Sequence, residues 1–181
     1  MQMAGQIAAA WADPDGIAQR IKKPRPELAD YRTETEALET MVGLIAHGIE
    51  AVRDTRIKPF IGKEVGDAKP RQALFWRSGL TMAMIRADIE GIAQSMSASR
   101  LADAIGEDSD GLRSSISFEF RNALRAVDMV TLPVNEAVTD NEQAGSLRYL
   151  AIVMASLQGL IGEKLSGALG LSVGYSSLDG D

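Results

Sequence analysis

The chain has no cysteine among its 181 residues and a single histidine, His47. The first absence excludes disulfides, thiolate metal sites and cysteine nucleophiles. The second leaves no serine with a histidine partner except His47, and no G-x-S-x-G elbow occurs. A P-loop, a G-x-G-x-x-G turn and the E-x-x-H pairs of di-iron bundles are missing too. Positive charge is in deficit: 19 Lys and Arg stand against 25 Asp and Glu, for a net charge of −6. That argues against nucleic acid and anionic membrane surfaces as main partners. The longest near-apolar stretch, Leu150 to Ile161, has 12 residues and contains Ser156, Gln158 and Gly159. A bilayer needs about 20, so no membrane span is expected. The N-terminal stretch MQMAGQIAAAWADPDG lacks the basic n-region and apolar core of a signal peptide. Alternating apolar and polar runs between turn dipeptides are absent, so sheet content should be near zero.

What remains is helix. The length suits one globular domain that buries roughly two thirds of its unfolded surface. Met1 to Ala12 reads as the last turns of a helix that belongs to a longer protein, and residues 13–32 read as a Pro-, Asp- and Lys-rich connector. Residues 33–181 read as a helical-bundle domain. Thr33 and Glu36 have capping-box spacing, and Leu38, Met41, Val42, Ile45, Ile49 and Val52 share one face of a helix ending near Arg56.

A second helix is expected from Arg71 to Met96, with Ser78, Met82, Ile85, Ile89, Ile92 and Met96 as its stripe. A short piece follows, Ser99 to Ile105. Ser109 or Asp108 caps a third helix carrying Leu112, Ile116, Phe120, Ala123, Val127 and Val130, which stops at Leu132-Pro133. Thr139 and Glu142 open a fourth helix that Gly167 and Gly170 end. Its run Leu147 to Leu165 is apolar on nearly every side, so it calls for surrounding helices. The predicted fold is all-α, an up-down four-helix bundle with a short extra N-terminal helix.

The chemistry-bearing residues are sparse. His47 and Glu50 form H-x-x-E on a helix, and such a pair can bind a divalent metal. On the wheel His47 lies opposite the core stripe, and two donors are too few for a closed site. Trp76-Arg77-Ser78 is expected to open the second helix, with Arg77 and Asp88 on one stripe and Arg86 near. A guanidinium there could hold a carboxylate; more simply, Trp76 anchors the loop and Arg77 pairs with an acidic neighbour. Arg113, Arg121 and Arg125, interspersed with Glu119 and Asp128, read as mixed surface charge. Met41, Met82, Met96 and Met154 read as core rather than a copper site. Phe118 and Leu132 lie off the third stripe and are candidates for an exposed apolar patch.

Three segments carry a resemblance: FWRSGLTMAMIRADIEGI at 75–92, the connector LPVNEAVTD, and the last helix with its tail LGLSVGYSSLDGD. Together they resemble the C-terminal half of the imelysin family, iron-regulated, peptidase-like helical proteins of bacteria. The resemblance implies a partner bundle, the family's N-terminal half, which carries the signature G-x-H-x-x-E. In His47-Gly48-Ile49-Glu50 the position of the signature's glycine is held by Ile45, so the signature is not carried over. The motif positions that do carry over are Trp76, Arg77 and Ser78, with Asp179, Gly180 and Asp181. The resemblance further implies a periplasmic or lipid-anchored protein linked to iron uptake, with iron or another divalent metal held in the full-length protein. Three functions follow as expectations: a binding module sharing a site with the second bundle, a metallopeptidase, or a structural bundle that binds a partner or a second copy.

Overall fold

The computed structural model describes residues 2–106 and 109–172. The tail motif Asp179, Gly180 and Asp181 lies outside them. The protein is all-α, 75% helical, with no strand among the described residues. It divides into two compact units, Met1–Met41 and Val42–Asp181.

The first unit holds α1 (Gln2–Ala12), α2 (Ile17–Lys22) and the start of α3 (Glu34–Ala51). The predicted cap of α3 forms, as the Glu36 N–H donates to Thr33 Oγ1 at 3.2 Å. The return bond is shifted by one residue: the Glu36 carboxylate accepts the N–H of Arg32 at 2.7 Å, and that bond holds its pKa below the ordinary value.

The second unit is built on four rods. Helix α3 does not end near Arg56. It runs on through a π segment, Val52–Ile57, into α4 (Lys58–Ile61), and Gly62 at φ 66° stops it. The wider π turn spaces core positions five residues apart. Val52 and Ile57 are therefore both buried on one face with Ile45 and Ile49. Helix α5 (Thr81–Ser99) buries Ile85, Ile89 and Met96, and α6 (Ser109–Asp128) buries Ile116, Phe120, Ala123 and Val127. The predicted stripes of these two helices hold except for Ser78, which is exposed and not helical. Helix α6 stops at Asp128, before the expected Leu132-Pro133, and a short α7 (Val134–Ala137) intervenes.

Asp140, not Thr139, caps α8 (Asn141–Gln158), accepting the Gln143 N–H at 3.0 Å. Both residues satisfy the spacing rule, and the carboxylate is the better acceptor. A second π segment, Gly159–Leu165, extends α8 into α9 (Ser166–Ala168). The rod ends in a Schellman arrangement: Gly170 has φ 67°, and the N–H of Leu171 donates to Ser166 O at 3.0 Å.

Pairwise packing joins α5 to α6, α6 to α8, and the π segment Val52–Ile57 to both α5 and α8. Leu147, Leu150, Met154, Leu157, Ile161 and Leu165 are fully buried along one face of the last rod. By length and composition 141–168 is also long and apolar enough to cross a membrane. The buried face marks it as a core helix of this bundle, but it is not surrounded on every side: Tyr149 and Ile152 are open to solvent.

Candidate functional site

The segment before α5 is a turn, not the first coils of that helix. A 3-10 turn, Pro70–Gln72, leads into residues 73–80, and two of these take left-handed backbone: Phe75 at φ 60° and Gly79 at φ 68°. Glycine does so without penalty. A bulky L residue there costs roughly 1–2 kcal/mol. The surroundings hold it in place. Ala73 is buried, and Thr81, also buried, donates its hydroxyl to Leu74 O at 2.6 Å. Phe75 O accepts the N–H groups of Ser78 at 3.1 Å and Leu80 at 3.3 Å. It also accepts the Ser78 hydroxyl at 3.1 Å, so Ser78 serves the turn itself.

The result is a fixed turn that displays apolar side chains. Leu74, Phe75 and Leu80 are 40%, 56% and 53% exposed. Trp76 is half-buried, and the Arg77 guanidinium stands 5.3 Å from its ring centroid. Arg77 lies in the turn before α5 and so shares no helical stripe with Asp88, and it forms no ion pair with an acidic neighbour among the described residues. Arg86 instead pairs with Glu90 at 3.0 Å and with Asp128. Trp, Arg and Phe on a pre-organised backbone are the composition of interface hot spots. The Arg–Trp stack keeps its charge facing water while covering the indole. Sequence reasoning found Trp76, Arg77 and Ser78 but missed Leu74, Phe75 and Leu80.

The H-x-x-E pair is placed differently. His47 is exposed, while Glu50 is only 4% exposed and has no hydrogen bond or ion pair among the described residues. The same helix packs closely on the last rod, where Ala46 Cβ lies 3.8 Å from where a Cβ on Gly162 would stand. One turn onward Arg53 bonds Gln158, the residue before the second π segment, and pairs with Asp54 at 2.7 Å. Lys58 reaches the same carboxylate at 2.7 Å. The Arg53 bond, more than Lys58, holds the Asp54 pKa below its ordinary value. π segments often mark functional positions, and here Arg53 of the first bonds the residue that precedes the second. Even so, among the described residues no three His, Asp or Glu side chains are grouped to hold a metal ion. His47 and Glu50 alone do not fit a metal centre, nor the metal-bound water a metallopeptidase needs.

Of the two apolar-patch candidates, Phe118 is 55% exposed, and Leu132 is half-buried. Phe118 borders a shallow recess with Ser114, Ser115, Ser156 and Leu160, where Glu119 accepts the Ser156 hydroxyl at 2.8 Å.

The family model for Imelysin matches residues 1–158. The chain belongs to the imelysin family. The imelysin match takes in the strained turn, Trp76-Arg77-Ser78, the H-x-x-E pair and the connector before α8, and it stops short of the tail. No curated protein and no solved structure gives a significant match.

Proposed function

We propose that this imelysin-family chain is a binding module linked to iron uptake, acting in the periplasm or on a lipid anchor. Its four rods form an up-down bundle that works with a second helical bundle, the family's N-terminal half, and contributes one wall of a shared site. The observation that carries this reading is the turn 73–80. A folding chain has no reason of its own to hold Phe75 in left-handed backbone with its ring in water. A docking surface does, because side-chain ordering is then settled before the partner arrives. Glu50 supports the shared-site part, since no donor or cation among the described residues pairs with its carboxylate, which leaves it for a partner bundle to engage.

The test mixes the 181-residue protein with a separately produced N-terminal bundle of the family, followed by light scattering and calorimetric titration with iron. The reading expects a one-to-one complex, and tight iron binding by the complex only. Tight iron binding by this chain alone would sink the shared site, and no complex would sink the docking.

A second reading, a structural bundle that binds another copy of itself, is favoured by Tyr149 and Ile152, which are 46% and 66% exposed on the last rod. Light scattering of the chain alone separates the two, because self-association predicts a dimer before any partner is added.

A further inference from the structure

A second strained position lies at the other end of α5. Arg100 is the C-cap of that helix, with φ 53° in the left-handed region. Helices usually place glycine or asparagine at such an end, because a Cβ is crowded there. Here the strained residue carries a guanidinium on a largely exposed side chain, and Arg100 lines a cavity. The cavity is about 390 Å³ in volume, within the range of small-ligand pockets.

Its floor is apolar and belongs to the core: Met96, Ala102, Ile116 and Phe120 are each at most 7% exposed. Its rim is polar. Asp103 sits between two arginines, taking Arg100 Nε at 2.7 Å and Arg113 Nη2 at 2.9 Å. Asp103 thus orients both guanidiniums, and Arg113 has partners besides it. Asp110 approaches Arg113 only at 3.7 Å and is 89% exposed. The terminal nitrogens of Arg100 make no bond among the described residues, since its only pairing there is through Nε.

We infer that the cleft between α5, the turn Leu101–Ile105 and α6 binds a small amphipathic anion, with its apolar body on Met96, Ile116 and Phe120 and its carboxylate or phosphate head on Arg100. The head-group preference follows from the guanidinium fork, which matches planar oxyanions. The body preference follows from an apolar floor that water occupies poorly. The left-handed backbone at Arg100 is the cost of holding that fork over the cleft. This inference is independent of the docking turn.

The experiment is calorimetric titration of the whole 181-residue protein with octanoate, octanol and octylamine, three probes of one chain length and different head charge. Octanoate should bind about tenfold more tightly than octanol, and octylamine more weakly than either. Arg100→Gly relieves the backbone strain, so it should melt at the same or a higher temperature yet lose the preference for octanoate. Arg100→Gln, which keeps the length and removes the charge, should lose the same preference. Equal binding of octanoate and octanol, no heat with octanoate, or an undiminished preference in both variants would overturn the inference.

Discussion

The two ends of α5 make the same backbone choice for different ends. Before the helix, Phe75 stands at φ 60°; after it, Arg100 stands at φ 53°. Both occupy conformations that suit glycine. At the first end the strain displays an aromatic ring and its leucine neighbours to solvent. At the second it holds a charge over a small cleft. One regular helix, buried at Ile85 and Ile89, keeps both positions fixed. Strain persists only where the surroundings over-determine it, and the α5 core supplies that rigidity.

The comparison can be broken from the middle. Ile89 is fully buried, and Ile89→Ala should cost about 2–5 kcal/mol in a denaturant melt. Both ends should fail together, with partner docking and octanoate binding weakened in parallel. Each end can also be loosened alone. Thr81→Val removes the hydroxyl that serves Leu74 O while keeping the volume. It should cost about 1–2 kcal/mol and weaken docking, with octanoate binding unchanged by calorimetry. The two glycine variants, Phe75→Gly and Arg100→Gly, should each be neutral or stabilising by up to about 1 kcal/mol, because each removes a crowded Cβ.

The smallest effect lies away from both ends. Asp54 has its pKa held below the ordinary 3.8, chiefly by its hydrogen bond to Arg53. A lowered carboxylate pKa stabilises the fold above the unfolded value, and that contribution disappears as pH falls through the lower folded value. The pair is partly exposed, so the loss should be under about 1 kcal/mol. Asp54→Asn should flatten the stability curve below about pH 4, measured by denaturant midpoints, and leave both binding activities intact.

The regular parts of this fold were legible in the sequence. The stripes Ile85, Ile89, Met96 and Ile116, Phe120, Ala123, Val127 follow the 3.6 period, and burial follows them. The π segments were not legible, because a core that steps from Val52 to Ile57 looks like a broken stripe under a 3.6-residue template. The turn 73–80 was hidden for the opposite reason. Ser78 extends the helical spacing of Met82 and Ile85 backwards, so the pattern continues where the helix does not. Gly79 is a residue type that suits positive φ, but nothing about phenylalanine or arginine announces positive φ at residues 75 and 100. His47 stands on an open face, as its place on the wheel predicts, whereas the burial of Glu50, only three residues on, was not legible from the helical spacing. The motif Trp76-Arg77-Ser78 stood out from its residues and again by resemblance, whereas its apolar companions needed the backbone.

The most direct test of the docking turn measures the affinity of Phe75→Gly for the family's N-terminal bundle, alongside its melting temperature. The account predicts that affinity falls about thirtyfold or more, as for an interface hot spot, while the melting temperature holds or rises. Unchanged affinity with an intact fold would contradict it.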